Sequence, residues 1–204
     1  MNRSKPNNAV QGSPLLERRS LTIKELRIND SDKTSPPKIE GYASVFDSWS
    51  EQLGGESPFR EKVCKGAFAE TIEKDDIRAL YNHDPNYVLG RNKAGTLELE
   101  EDEKGLKVCI NPPKTQWARD LIQSVKRGDI SQMSFGFACE LDRWSYEKGC
   151  DVRELLKVKL FDVSLVTYPA YPQTECDVRS ILQARTQERK QKQKNYEEIF
   201  NNDN

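Results

Sequence analysis

Three residue types that serine-dependent acyl transfer requires lie on three separate stretches with strand-like alternation. His83, the single histidine, ends "ALYNHD"; Ser134 lies in "MSFGF" and Asp162 in "LFDVSL". In such chemistry the hydroxyl attacks a carbonyl, the imidazole takes its proton and the carboxylate fixes the imidazole tautomer. The spacing therefore predicts a hydroxyl, an imidazole and a carboxylate that share one outer surface.

The surroundings of Ser134 favour a nucleophile with access to substrate. Side chains on a strand alternate between faces, so Ser134, Gly136 and Ala138 are predicted to point outward and to form a shallow groove of small residues. The opposite, core face is predicted to hold Phe135, Phe137, Cys139 and Leu141. Because it lies on the core face, Cys139 is not expected to be the nucleophile.

Asp162 is the predicted third member of the set. Phe161, Val163 and Leu165 are predicted to face the core, which turns Asp162 and Ser164 outward. Two other acids are less suitable: Asp84 adjoins His83 and should point to the opposite face, and Glu154 lies at the start of "ELLKVKL", several residues before Asp162.

The pattern alone leaves two function classes open. One is a serine hydrolase; the other is a non-catalytic β module that binds another protein, in which Ser134 and His83 are incidental. The chain has no G-x-S-x-G elbow, which makes an α/β-hydrolase unfavourable. Oxyanion stabilisation requires donors beside the attacked carbonyl, and Arg91 and Arg143 are possible donors.

The elements that must position these residues are mostly short strands. Strands are predicted in "LTIKELRI", "IEGYASVFD", "DIRALYNHD", "GTLELEED", "GLKVCIN", "MSFGFACELDRW" and "LLKVKLFDVSLVT", the last as one strand or two. Helices are predicted in "KGAFAETIEK" and in "TQWARDLIQSVKRG", where Thr115 is a candidate cap and Gly128 a terminator. Many strands with two helices predict a mainly β, α+β fold, an antiparallel barrel or sandwich.

Composition bounds the organisation of the 204-residue chain. Residues 1–17 are polar and predicted to be disordered, 18–175 form the predicted domain, and 176–204 form a charged tail that is helical or flexible. The net charge of −1 disfavours nucleic-acid binding, and no apolar stretch is long enough for a membrane span or an export signal. The five cysteines are odd in number and widely spaced, so a disulfide framework is not expected. The chain has no C-x-x-C pair and only one histidine, so a zinc site is not expected either, and no cofactor is predicted.

Six motifs in order connect the chain to a known family. "IEGYASVFD", "KGAFAETI", "LYNHDPNYVLGR", "AGTLELEEDEKGLKVCINPP", "MSFGFACE" and "FDVSLVTYPAYPQT" together resemble the prohead (head maturation) serine proteases of tailed bacteriophages. The resemblance runs from about Leu21 to Thr174. It implies a small β-barrel ringed by helices, of the herpesvirus-assemblin type.

The resemblance also implies a function. It predicts a serine endopeptidase that cleaves capsid and scaffold precursors inside assembling procapsids in the host cytoplasm, with self-association possible. The family histidine falls on His83, the serine on Ser134 and the acid on Asp162.

Overall fold

The computed structural model describes residues 16–21, 26–31, 37–54 and 58–168. The strands in chain order are β1 Glu17–Leu21, β2 Arg27–Asn29, β3 Lys38–Val45, β4 Phe59–Val63, β5 Arg78–Tyr81, β6 Asp84–Arg91, β7 Leu97–Glu101, β8 Gly105–Ile110, β9 Gln132–Glu147 and β10 Cys150–Val166. The helices are α1 Ala69–Lys74 and α2 Gln116–Arg127, and a 3-10 turn spans Asn92–Ala94.

The larger sheet is organised around β10. Its strand order is β1-β9-β10-β5-β6, and β4 also pairs with β10. β9 and β10 form a long antiparallel hairpin, whereas β4 and β5 run parallel to β10 at its two ends. β10 therefore contacts three strands and holds most of the sheet together.

The smaller sheet has the order β2-β3-β8-β7 and is antiparallel throughout. Its inward side chains, among them Ile39, Val108 and Ile110, join one core with Phe135, Phe137 and Val163 of the larger sheet. Alternation explains β7 and β8, since every second residue of "GLKVCI" is apolar and buried.

Helix α2 follows from its sequence pattern. Leu121, Ile122 and Val125 recur at helical spacing and are buried, while the opposite face is charged. The helix ends at Gly128, which has a φ of 83°, a left-handed conformation that glycine adopts without steric cost. Thr115 occupies the predicted N-cap position, but its side chain makes no capping hydrogen bond.

Most predicted elements are present, with different bounds. The predicted strand "LTIKELRI" is found as β1, which begins earlier, and β2; residues 22–25 between them lie outside the described residues. β4 and β6 were not predicted. β6 contains Pro85 and is interrupted by register shifts opposite Leu80 and Tyr81, so it lacks the regular alternation that marks a strand.

The mainly β, α+β fold class is confirmed, whereas closure into a barrel is not seen. The strand paths of both sheets end at unjoined strands within the described ranges. An assemblin-type barrel therefore remains a prediction. The predicted tails lie almost wholly outside the described residues, and β1 begins at Glu17, so the domain boundaries also remain predictions.

Two predicted core residues are not in the core. Leu141 is 55% exposed, because β9 extends past the edge of the packed core there. Phe161 is only partly buried: the pairing of β10 with β9 shifts between Leu160 and Asp162, which leaves Phe161 without a partner on β9. No helix in the described part of the chain is long and apolar enough to cross a membrane.

Candidate active site

Two adjacent strands bring Ser134 and Asp162 onto one face of the larger sheet. Ser134 on β9 pairs with Ser164 on β10, and Gly136 pairs with Asp162. Paired residues point to the same face and neighbours along a strand alternate, so all four lie on the face opposite Phe135. The register of one hairpin thus sets the spacing between the hydroxyl and the carboxylate.

His83 reaches that face from a tight turn between β5 and β6. Tyr81 pairs with Asp84, so only Asn82 and His83 form the loop, and their φ values are 53° and 57°. Two consecutive positive φ values define a primed hairpin turn, a conformation in which Asn and His are better tolerated than most residues. Such backbone strain is concentrated at functional sites.

The side chain of Asn82 fastens this turn to the end of β10. Its Oδ1 accepts from the backbone N–H of Thr167 at 2.9 Å, and its Nδ2 donates to the Thr167 hydroxyl at 3.2 Å. The backbone N–H of Asn82 donates to the carbonyl oxygen of Leu165 at 2.8 Å. Both the backbone and the side chain of Asn82 therefore hold the turn against the end of β10.

The three predicted site residues form a continuous hydrogen-bonded chain. Nδ1 of His83 lies 2.6 Å from Oδ1 of Asp162, and Nε2 of His83 lies 2.8 Å from Oγ of Ser134. This arrangement can transfer a proton from the hydroxyl to Nε2 while the carboxylate accepts from Nδ1–H.

Asp162 is oriented by a second hydroxyl and by the space above Gly136. Ser164 donates to Oδ1 of Asp162 at 2.6 Å. A Cβ atom on Gly136 would overlap Oδ2 of Asp162 and would lie 3.8 Å from Nδ1 of His83. Glycine is therefore the residue that leaves room for the carboxylate to reach the imidazole.

The site is buried, contrary to the predicted shallow groove. Ser134 and Ser164 are 0% exposed and Asp162 is 8% exposed. The prediction of an outward face was wrong because both faces of β9 are covered near Ser134: the core lies on one side, and the opposite side lies under the His83 turn. The predicted sharing of one face by Ser134, Asp162 and Ser164 agrees with the register.

Ser134 has a second partner that the sequence did not indicate. Its hydroxyl donates to the backbone carbonyl oxygen of Arg19 at 2.9 Å. Arg19 lies on β1, which pairs with β9 so that Ser20 is opposite Ser134.

The other candidate residues have partners of their own. Arg91 forms a bidentate contact with Asp76, and Arg143 bonds Glu154 nine residues along β9 from Ser134. Within the described residues no hydrogen bond connects either guanidinium to Ser134 or His83, so their oxyanion roles remain predictions without support from these contacts. Asp84 accepts from the backbone N–H of Asn86.

Cys139 does not have the chemistry of a nucleophile. Burial raises the pKa of its thiol to about 12, so the thiolate is scarce at neutral pH. The described part of the chain contains no group of three or more His, Cys, Asp or Glu side chains that could hold a metal ion.

Four neighbours of the site make contacts that were not predicted from the sequence: Ser164, Gly136, Asn82 and Arg19. Ser164 carried a signal, because it stands two residues from Asp162 and shares its face. The contact with Arg19 depends on the pairing of β1 with β9, which joins residues 115 positions apart and left no local pattern.

A comparison with known families identifies the class of protein. The model of the caudovirus prohead serine proteases matches residues 24–192. The chain belongs to this family, which confirms the predicted resemblance and makes the protein a serine peptidase of phage head maturation. No curated protein and no solved structure matches the chain.

Proposed function

We propose that the protein is an endopeptidase of the Ser-His-Asp type, with Ser134 as nucleophile, His83 as general base and Asp162 as the residue that orients His83. The observation that carries this proposal is the chain of two contacts, 2.8 Å from Ser134 to His83 and 2.6 Å from His83 to Asp162. Both lie within the range required for proton transfer between a nucleophile and its base.

The mechanism follows from these atoms. Nε2 of His83 takes the Ser134 proton as Oγ attacks the peptide carbonyl, and Asp162 stabilises the imidazolium that forms at Nδ1–H. The imidazolium then protonates the leaving amine, which leaves an acyl group on Ser134. Water, deprotonated by the same nitrogen, releases the acyl group and restores the hydroxyl.

The substrates we propose are capsid and scaffold precursors inside the assembling procapsid. Support comes from the family, whose members are prohead serine proteases of tailed phages. The described strands do not close into a barrel. We nevertheless propose an assemblin-type barrel as the fold of the whole domain.

The alternative, a non-catalytic binding module, is less well supported. Such a module would have no reason to hold a serine hydroxyl, an imidazole and a carboxylate from two strands and a turn at hydrogen-bond distances. It would also have no need for a histidine with a φ of 57° in a two-residue turn.

The test is co-expression with the capsid precursor that is encoded beside this protein, followed by measurement of the intact mass of the precursor. We expect cleavage with the unaltered chain and none with Ser134→Ala or His83→Ala, because triad members act as a unit. Ser44→Ala is the matched control: Ser44 is also buried, and its hydroxyl has no hydrogen-bond partner within the described part of the chain. Cleavage by Ser134→Ala at the rate of Ser44→Ala would refute the mechanism.

A further inference from the structure

β1 occupies the edge of β9 that carries Ser134. The two strands are antiparallel, with Arg19 opposite Phe135 and Ser20 opposite Ser134. The other edge of β9 is taken by β10. Extended peptides bind proteins by adding a strand to a sheet edge, and the edge beside the nucleophile already holds a strand of this chain.

The contact between β1 and Ser134 is unproductive for catalysis. A serine hydroxyl has one hydrogen, and when it donates to the carbonyl oxygen of Arg19 it cannot donate fully to Nε2 of His83. Attack also requires Oγ to approach a carbonyl carbon while the carbonyl oxygen accepts from other donors. β1 therefore blocks the nucleophile, and its contact with Ser134 does not have the geometry of a bound substrate.

In this arrangement no part of Ser134 is accessible to a substrate. Its exposed fraction is 0%, so a peptide carbonyl reaches Oγ only after a neighbouring element moves. The hairpin partner β10 cannot leave without removing Asp162, and the turn after β5 cannot leave without removing His83. β1 carries none of the three proposed catalytic residues and is the strand whose departure leaves them together.

β1 is held by a buried cluster of four charges. Arg19 bonds Glu61 at 2.7 Å and Glu17 at 2.8 Å, and Arg153 bonds Glu17 at 2.8 Å and Glu61 at 2.9 Å. Burial lowers the pKa of Arg19, but the charges of Glu61 and Glu17 outweigh it and raise that pKa. The Arg19 guanidinium therefore stays protonated at neutral pH.

The charges that remain in this cluster would still be balanced if β1 dissociated. β1 contributes one acid and one base, and the remaining acid and base, Glu61 and Arg153, stay in contact with each other when β1 departs. Removal of one partner of a buried pair leaves an uncompensated charge, whereas departure of β1 removes a matched pair. β1 also precedes the part of the chain that the family model matches, which begins at residue 24.

We propose that the edge of β9 beside Ser134 is the site that receives the extended substrate segment, and that β1 occupies this site in the resting protein as an internal inhibitor. The inference rests on the proposed peptidase function. Substrate strands pair with β9 in place of β1, and the nucleophile is blocked until that exchange takes place.

A reversible cross-link between β1 and β9 tests the proposal in the full chain. Leu21 and Met133 are paired across these strands next to Ser134, and paired antiparallel Cα atoms lie about 4.5–5.5 Å apart, within disulfide range. The doubly substituted Leu21→Cys, Met133→Cys protein is compared with itself, oxidised and reduced. The readouts are precursor cleavage and labelling of Ser134 by a fluorophosphonate, and each single variant serves as a control.

We expect the oxidised protein to be inactive and unlabelled, and reduction to restore both signals. Equal cleavage and labelling in the two redox forms would overturn the inhibitory role of β1 while leaving the peptidase function intact. Absence of cleavage and labelling in the unaltered chain as well would instead refute the peptidase function.

A second variant decides the matter if the double substitution damages the core. Glu17→Gln keeps the shape of the side chain but weakens its contacts with Arg19 and Arg153, so β1 should dissociate more often. Because labelling scales with the fraction of open protein, we expect it to be faster by about tenfold. The control is Glu40→Gln, which removes a charge that bonds Arg27 and Asn29 on β2; equal labelling rates in the two variants would contradict the proposal.

Discussion

Asp162, on the central strand β10 of the larger sheet, contacts His83 in the turn that follows the neighbouring strand β5. The Oδ1–Nδ1 distance is 2.6 Å, and 79 residues separate the two along the chain. The other two acids that could have filled this role are occupied elsewhere: Asp84 by Asn86, and Glu154 by Lys62 and Arg143. Asp162 is therefore the carboxylate that the geometry favours as the partner of the imidazole.

Asp162→Asn should preserve the fold and abolish most of the activity. An amide in place of the carboxylate favours the wrong imidazole tautomer, and such changes lower the rate by roughly 10⁴ in serine triads. The measurement is the precursor cleavage rate of Asp162→Asn beside Asp84→Asn and Glu154→Gln. Near-full activity of Asp162→Asn together with loss of activity in either of the others would show that the wrong acid was chosen.

Ser164→Ala should lower activity without abolishing it. Its hydroxyl donates to the Asp162 oxygen that contacts His83, so its loss lets the carboxylate turn and leaves that oxygen with one donor fewer. Hydrogen bonds to charged groups contribute about 1.5–3 kcal/mol, which corresponds to a fall of about tenfold or more in the cleavage rate. Ser44→Ala, the control substitution of a buried serine, should show no change in rate. Equal cleavage rates of the Ser164→Ala and Ser44→Ala variants would show that Ser164 does not contribute to the site.

Gly136→Ala should inactivate the protein by displacing the Asp162 carboxylate. The added methyl group would overlap Oδ2 of Asp162. Gly41→Ala on β3 is the matched control, because its methyl group would meet the flexible end of Met133 at 3.1 Å. We expect both variants to fold, as judged by circular dichroism, and only Gly136→Ala to lose fluorophosphonate labelling; normal labelling of Gly136→Ala would contradict the assigned geometry.

Asn82 should be replaceable by glycine more readily than by alanine. Both substitutions remove the contacts with Thr167, but only alanine also meets the steric cost of a φ of 53°. We expect Asn82→Ala to lose about 1–3 kcal/mol of unfolding free energy and more activity than Asn82→Gly. Urea unfolding and cleavage rates measure the two effects, and the opposite ranking would show that the turn is not held in the left-handed region.

Arg153→Ala should be far more destabilising than Arg143→Ala, although both arginines lie on the β9–β10 hairpin. Arg153 is 3% exposed and contacts three acids, so its loss leaves buried carboxylates uncompensated, at a cost of about 3–5 kcal/mol. The Arg143 side chain is 63% exposed and pairs only with Glu154 within the described residues, so solvent screens this ion pair and its loss should change stability little. Urea unfolding of the two variants should separate the two effects, and similar midpoints would count against a tightly packed charge cluster.

Alternation and turn chemistry predicted much of the fold and selected three residues that the structure brings into contact. The apolar positions of β8 and of α2 follow periods that a single sequence reveals. His83, Ser134 and Asp162 could be selected because each stands on or beside a strand with a clear apolar face. The motif order, with its family resemblance, then selected these three from many possible Ser, His and Asp combinations.

What could not be predicted depends on pairing between distant strands. The burial of Ser134 arises from β1 and from the His83 turn, which are 115 and 51 residues away along the chain. The cluster of Glu17, Arg19, Glu61 and Arg153 reads in the sequence as ordinary surface charge, because its members are brought together from β1, β4 and β10. Local periodicity carries no information about such contacts.

The central position of β10 also sets the moment in synthesis at which the protein can become active. β10 is the last described strand, yet β4, β5 and β9 all pair with it. A nascent chain that has exposed His83 and Ser134 but not Asp162 has no frame on which to align them, because β5 and β9 are both held in place by β10. Under the proposed Ser-His-Asp mechanism, the end of β10 must therefore leave the ribosome before the first peptide bond can be cut, so an incomplete chain would not digest itself or its neighbours on the same message.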